Sequence, residues 1–172
     1  MPVRIADALL FLLGFWLALT LFAPIASPEG APGAADPSLA RLEEELHRAV
    51  NAARGRHHKI PLRRDPRLDA VARAHSADMA RRGYLAHESP EGTNPVDRLT
   101  RGGVEGFTLA AENAGITTRP DPTDEILSSW LASPVHRENL LAPVFNTAGL
   151  GIARSPAGAL VYTQLYATFP RD

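Results

Sequence analysis

The chain has 172 residues, of which 45% are hydrophobic and 22% charged, with a formal net charge of -1 and no cysteine. This length suits one domain, or one domain with a tail, and the composition is too apolar for a disordered chain. The lack of cysteine excludes a disulfide scaffold, a thiolate zinc site, an iron–sulfur cluster and a cysteine nucleophile. The near-neutral charge argues against nucleic-acid binding, which usually requires a basic face.

Residues 1–26 have the pattern of a targeting segment. From Ala8 to Ala26 the sequence is ALLFLLGFWLALTLFAPIA. About 20 apolar residues span a membrane, whereas the core of a signal peptide has about 7 to 15, so the run predicts either a membrane anchor or a cleaved signal. Arg4 precedes the run, and Glu29 and Asp36 follow it, which places the rest of the chain outside the cytoplasmic membrane.

Two further regions follow the targeting segment. Residues 27–38 are rich in Pro, Gly and Ala, which is typical of a linker with nothing to bury. Residues 39–172 form the predicted folded domain, which is long enough for one core without disulfides or metal. We therefore expect one extracytoplasmic domain that is either membrane-tethered or secreted.

Four helices are predicted in the first part of this domain. Three of them begin with a capping side chain followed by proline, at Asp65-Pro66, Asn94-Pro95 and Asp121-Pro122. Ser38 is the predicted cap of the first helix, which ends at Gly55, and Gly83 ends the second. In each segment the apolar residues recur three or four positions apart, as expected for a helix that buries one face.

The pattern changes to strands after Pro143. Gly149–Ala153 is predicted to be a short strand, Ser155–Gly158 a turn, and Leu160–Phe169 a strand rich in Val, Tyr, Thr and Phe. A further strand is expected around Ala110–Ile116. Helices followed by strands indicate an α+β domain or a layered α-β-α domain.

The common enzyme motifs are absent from the sequence. There is no glycine-rich loop for phosphate or dinucleotide binding and no G-x-S-x-G elbow of a serine hydrolase. The segment His87–Glu91 resembles the zinc-protease pattern H-E-x-x-H only superficially. Its second histidine is missing, and Pro90 is incompatible with the middle of a helix.

Three polar residues occupy positions where a packed domain favours apolar side chains. His87 follows a helix end, Glu112 lies in a mostly apolar strand, and His136 precedes a short predicted helix, Arg137–Leu141. Each also has a purely structural interpretation, namely a solvated loop histidine, a strand glutamate facing water, and a histidine that caps a helix. His75, on a helix face, is interpreted as a hydrogen-bonded core residue.

Four segments resemble, in this order, the CAP superfamily of cysteine-rich secretory proteins, antigen 5 and pathogenesis-related proteins. They are Tyr84–His87, Asn94–Leu99, Ala111–Ala114 and Trp130–Leu141. The chain is similar to the short, cysteine-free bacterial branch of SCP-like proteins over about residues 42–169. The resemblance implies a three-layer α-β-α sandwich with a central antiparallel sheet and a surface cleft.

The resemblance also implies where a site lies. In this family the cleft commonly holds two histidines and two acidic residues, and His87, Glu112 and His136 match three of these positions. The fourth, acidic position departs from the pattern, because no acid follows Trp130 until Glu138. The candidates to replace it are Glu88, Glu91 and Glu138.

Two functional interpretations remain open. Neutral imidazoles bind zinc or a similar divalent ion, and a carboxylate completes or orients such a site. The first interpretation is a non-enzymatic, extracytoplasmic binding or interaction module that uses the His/Glu cleft for a divalent metal, a lipid or an envelope ligand. The second is a metal-dependent hydrolase centred on His87 and His136. Both require His87, Glu112 and His136 to converge. If the two histidines share a divalent ion, their rings are expected within about 4 Å of each other, and rings more than about 10 Å apart would contradict a shared site.

Overall fold

The computed structural model describes residues 36–170. The helices there are α1 (Pro37–Arg56), α2 (Pro66–Arg82), α3 (Pro95–Arg101), α4 (Pro122–Ala132) and α5 (Pro134–Leu141). The strands are β1 (Arg63–Arg64), β2 (Leu109–Thr117), β3 (Thr147–Arg154) and β4 (Leu160–Thr168). The predicted targeting segment, residues 1–26, and most of the predicted linker lie outside the described residues. None of the helices in residues 36–170 is both long enough and apolar enough to cross a membrane.

The four strands form one sheet in the order β1-β3-β4-β2. β4 pairs antiparallel with β3 and with β2, in agreement with the predicted antiparallel sheet. β1 was not predicted, and it pairs parallel with the first two residues of β3. Because β1 consists of two arginines, neither an apolar run nor an alternating pattern in the sequence indicated a strand there.

β4 is buried on both of its faces. Its side chains at Leu160, Tyr162 and Tyr166 pack in one cluster with α1, α4 and α5. Those at Val161, Leu165 and Ala167 pack on the opposite face against α2 and α3. The sheet therefore lies between two helical layers, which confirms the predicted α-β-α sandwich.

The three predicted helix starts are confirmed at α2, α3 and α4, and the Asp65 and Asn94 side chains accept capping hydrogen bonds, whereas the Asp121 side chain does not. The predicted cap of the first helix is wrong, because Asp36 caps α1 and accepts a hydrogen bond of 2.9 Å from the Ser38 backbone N–H. Asp36-Pro37 is the same cap–proline signal that starts the other helices. It lies within the predicted linker, so α1 begins two residues before the predicted domain boundary and continues past Gly55 to Arg56.

The predicted start of the last short helix is also wrong. α5 begins at Pro134, directly after Ser133, instead of at Arg137. Ser133-Pro134 is again a cap–proline pair, and only one residue separates α4 from α5. His136 therefore lies in the first turn of α5 and does not cap a helix.

Candidate functional site

The candidate site is built around two consecutive residues of β2, which is an edge strand of the sheet. Glu112 is paired with Leu165 and Asn113 with Gln164 on β4. Neighbouring strand residues point to opposite faces, so Glu112 faces the layer of α2 and α3, and Asn113 faces the layer of α5. Each of the two side chains contacts one of the segments that carry His87 and His136.

The Glu112 carboxylate is almost fully buried, with 1% of its side chain exposed. Its Oε1 atom accepts a hydrogen bond of 2.9 Å from His87 Nδ1, and its Oε2 atom accepts one of 2.6 Å from Arg98 Nη2. His75 Nε2 lies 3.8 Å from Oε1. Burial of an unpaired carboxylate is costly, and the Arg98 guanidinium compensates this charge.

Two further side chains, those of Arg98 and His75, donate hydrogen bonds to backbone carbonyl groups in the loop that carries His87. Arg98 Nη1 donates to the carbonyl oxygens of His87 and Thr93, each at 2.9 Å. His75 Nε2 donates to the carbonyl oxygen of Ala86 at 3.0 Å, and His75 is only 2% exposed. His75 is therefore the hydrogen-bonded core residue that the sequence predicted, and it helps to fix the His87 loop.

A second set of hydrogen bonds fastens α5 to β2. Asn113 Nδ2 donates to the His136 carbonyl oxygen at 2.9 Å and to the Tyr166 hydroxyl at 3.1 Å. Asn139 Nδ2 donates to the Glu112 carbonyl oxygen at 3.2 Å and to Asn113 Oδ1 at 3.0 Å. These bonds position the start of α5, and with it the His136 ring, beside the edge of the sheet.

The structure brings the three predicted residues together. The ring centroids of His87 and His136 are 6.2 Å apart, with the ring planes at 68°. About half of the His87 side chain (49%) is exposed, while the carboxylate behind it is buried. Two imidazoles from different layers of the sandwich thus meet at the surface, and one of them is oriented by Glu112.

The two histidines have opposite pKa shifts. The hydrogen bond to the Glu112 carboxylate raises the pKa of His87 above its ordinary value. Burial, together with the neighbouring His87, lowers the pKa of His136. Because a carboxylate accepts from Nδ1, the neutral form of His87 carries its hydrogen there, and Nε2 is the nitrogen available to a ligand.

The acidic candidates for the fourth position do not join the two histidines. Glu91 forms an ion pair of 2.6 Å with Arg82 Nη2, and its side chain is 62% exposed. Glu88 and Glu138 are exposed as well. Within residues 36–170, no group of three or more His, Asp or Glu side chains is arranged to hold a metal ion. With both oxygens of Glu112 engaged, the nitrogens of His87 and His136 are the groups that remain for a ligand.

Sequence reasoning assigned no role to Arg98 or Asn139, which hold this arrangement together. Both lie inside segments that carry the family resemblance, Asn94–Leu99 and Trp130–Leu141. An arginine or asparagine on a helix is most often a solvated surface residue, so residue type alone gave no signal. Their position within the matched segments was the one available indication.

Comparison with known sequences identifies the family. The sequence model of the cysteine-rich secretory protein family, CAP, matches residues 47–166. A curated relative, the uncharacterized protein YkwD of Bacillus subtilis strain 168, is 31% identical over 129 residues. This match covers 75% of the present chain and 48% of YkwD. The chain thus spans about half the length of the curated relative that it matches.

Solved structures share the fold. An outer surface protein of Borrelia burgdorferi matches with a TM-score of 0.69 at 18% identity, over 76% of this chain and 94% of that chain. An extracellular protein containing an SCP domain, from Bacillus anthracis strain Ames, matches with a TM-score of 0.68 at 32% identity. That match covers 79% of this chain and 45% of the other. The chain belongs to the cysteine-rich secretory protein (CAP) family, and it is a cysteine-free member.

Proposed function

We propose that this protein is a non-enzymatic, extracytoplasmic binding module that binds a divalent metal ion such as zinc through His87 and His136. Its relatives include an extracellular protein and an outer surface protein, which supports a location outside the cytoplasmic membrane. The apolar run Ala8–Ala26 would direct the chain there, either as an anchor or as a cleaved signal.

The observation that carries the proposal is the 2.9 Å hydrogen bond between His87 Nδ1 and Glu112 Oε1. Histidines that ligate metals commonly donate their second ring nitrogen to a carboxylate, which orients the ring and raises the basicity of the ligating nitrogen. Glu112 is itself held by Arg98, so this support is rigid. His136, with its ring centroid 6.2 Å from that of His87, supplies the second imidazole.

The donor set favours binding over catalysis. Catalytic zinc sites have three protein ligands and one open position, whereas two imidazoles are available here. An ion held by two imidazoles keeps several positions for water or for oxygen atoms of a bound partner. The partner class is accordingly a small molecule, a lipid head group or an envelope component with oxygen donors. The sequence also has no recognised motif of an activated nucleophile, such as the G-x-S-x-G elbow.

Zinc titration of the full chain tests the proposal. The protein is purified in detergent, stripped with a chelator, and titrated by calorimetry near neutral pH. We expect one zinc ion per chain, with binding lost in His87→Ala and in His136→Ala. The matched control is His57→Ala, which removes an exposed histidine outside the cleft and is expected to bind zinc as the unmodified protein does.

Two results would contradict this function. Zinc binding that survives both cleft substitutions would show that the ion binds elsewhere. Hydrolysis in a broad substrate screen that is lost with chelator and in both histidine variants would replace the binding module by a metal-dependent hydrolase centred on the same residues.

A further inference from the structure

A cavity lies between α2 and α3. Its volume is about 340 Å³, and we call it the α2–α3 cavity. Ala70, Val71 and Ala74 of α2 form its apolar wall. The opposite wall is polar and basic, and it comes from α3 and the adjoining loops through Thr93, Arg98, Arg101 and Gly102. The cavity has the size and the mixed lining of a small-molecule site.

The basic wall holds a positive charge without a counter-ion. The charge of Arg98 is compensated by Glu112, at 2.6 Å. Arg101 Nη1 donates to Thr93 Oγ1 at 2.9 Å, and within residues 36–170 no carboxylate lies within 4.0 Å of its guanidinium nitrogens. The field in the cavity therefore favours an anion.

The same wall has hydrogen-bond donors that lack acceptors. Thr93 Oγ1 accepts from Arg101, so its own hydrogen stays available to a further acceptor. An oxygen atom that enters the cavity beside Arg101 and Thr93 would accept hydrogen bonds from the guanidinium and from the hydroxyl.

We propose that the α2–α3 cavity binds a small carboxylate that carries an apolar group. A planar guanidinium matches the two oxygens of a carboxylate, and Arg101 is free to make this contact. The alanine and valine side chains on α2 give a hydrated inorganic ion nothing to bind, but they suit a short aliphatic chain or a ring. The ligand thus has one charged end on Arg101 and one apolar end on α2.

Equilibrium dialysis of benzoate against the full chain in detergent tests this site. A chelator is present throughout, so that metal at the histidines does not contribute. We expect saturable binding of benzoate at one site. Arg101→Gln should weaken this binding at least tenfold, and so should Ala74→Leu, because the larger side chain occupies part of the cavity. Arg101 and Ala74 are both exposed, so neither change removes core packing. The control Arg41→Gln removes an equal charge on α1 outside the cavity and is expected to bind benzoate unchanged.

Several other results would contradict the proposal, each for a different reason. Inorganic phosphate that competes as well as benzoate would overturn the apolar part of the proposal. An equal loss of benzoate binding in Arg41→Gln would show that Arg101→Gln acts only through the net charge of the protein. Benzoate binding that does not saturate, or that Ala74→Leu leaves unchanged, would show that the cavity is not the site. Since the chelator removes metal, each of these results is independent of zinc binding at His87 and His136.

Discussion

At the scale of the residue, the hydrogen bonds of Asn51 set which ring nitrogen of His47 acts as an acceptor. Its Oδ1 atom accepts from the Leu62 N–H at 2.8 Å, and its Nδ2 atom donates to the Leu62 carbonyl at 3.0 Å, which sets the orientation of the amide. Nδ2 also lies 3.1 Å from His47 Nε2. An amide nitrogen only donates, so His47 Nε2 accepts and the ring is neutral. Burial, the largest cause, lowers the pKa of His47.

We expect His47→Gln to reduce the loss of stability that acid causes. The unfolded histidine has a pKa near 6.5 and the folded one a lower pKa, so the unfolded chain takes up the proton first. The free energy of unfolding of the unmodified protein therefore falls as the pH decreases through about 6.5 towards the folded pKa. Denaturant unfolding between about pH 7.5 and about pH 5 measures the slope. Equal slopes for the two proteins would contradict the assignment.

Trp130 is the second residue that supports a prediction. It is 1% exposed, and its Nε1 atom donates to the Ala114 carbonyl oxygen of β2 at 3.0 Å. Trp130→Ala should lower the free energy of unfolding by about 3–5 kcal/mol, because it leaves a cavity in the core. Trp130→Phe should cost less, since most of the ring volume remains and one hydrogen bond is lost. Urea unfolding measures both, and a loss below about 1 kcal/mol for Trp130→Ala would contradict the burial.

At the scale of the element, side-chain carboxylates accept hydrogen bonds from the backbone N–H groups on the outer edge of β3. β1 pairs with only the first two residues of β3. Farther along, the Leu150 N–H donates to Asp69 Oδ1 at 2.8 Å and the Ile152 N–H donates to Glu43 Oε1 at 3.3 Å. Arg64 donates to both carboxylates, at 3.0 and 2.9 Å. This buried edge therefore has no free donors at these positions for another strand to pair with.

Close packing of α2 on β3 depends on glycine. A Cβ atom at Gly151 would lie 2.1 Å from the Arg73 backbone nitrogen, too close for any side chain. Gly151→Ala should therefore displace α2 and lower the free energy of unfolding by about 3 kcal/mol or more. The matched control is Gly55→Ala in α1, where a Cβ meets no atom within 4 Å. This control should be neutral or stabilising by about 0.5–1 kcal/mol in the same unfolding experiment.

At the scale of the whole molecule, the sandwich brings distant segments of the chain together at the edge strand β2. His87 reaches Glu112 from the layer of α2 and α3, and His136 reaches the same edge on α5. The side chains of Glu112 and Asn113 alternate between the two faces, so one strand holds both segments. The meeting of the two imidazoles is a property of the layered arrangement and not of any one element.

Location is the prediction that belongs to the whole chain. We expect the protein outside the cytoplasmic membrane, because the apolar run Ala8–Ala26 precedes the domain and Arg4 precedes the run. Cell fractionation and the mass of the mature protein measure this. A soluble mature protein that begins after the linker would favour a cleaved signal over an anchor, and a cytoplasmic protein would contradict export.

Signals within a few residues determined the elements that the sequence predicted correctly. An N-cap residue followed by proline starts α2, α3 and α4, and Gly83 ends α2 in the left-handed conformation (φ of 70°). The same dipeptide pattern is present at Asp36-Pro37 and Ser133-Pro134, where α1 and α5 begin. Ordered matches to the CAP family supplied the fold and the three residues at the cleft, His87, Glu112 and His136.

The tertiary structure decided the features that depend on contacts between distant residues. β1 exists as a strand because β3 lies beside it, and Arg98 compensates Glu112 because α3 packs near β2. Glu43 is buried because Arg64 and Arg73 reach it from other segments. Caps, prolines and glycines act on their own backbone, so their effect can be predicted from a few neighbouring residues of the sequence. The partner of a buried charge is chosen by packing, because its desolvation is offset only when the fold brings an opposite charge to it.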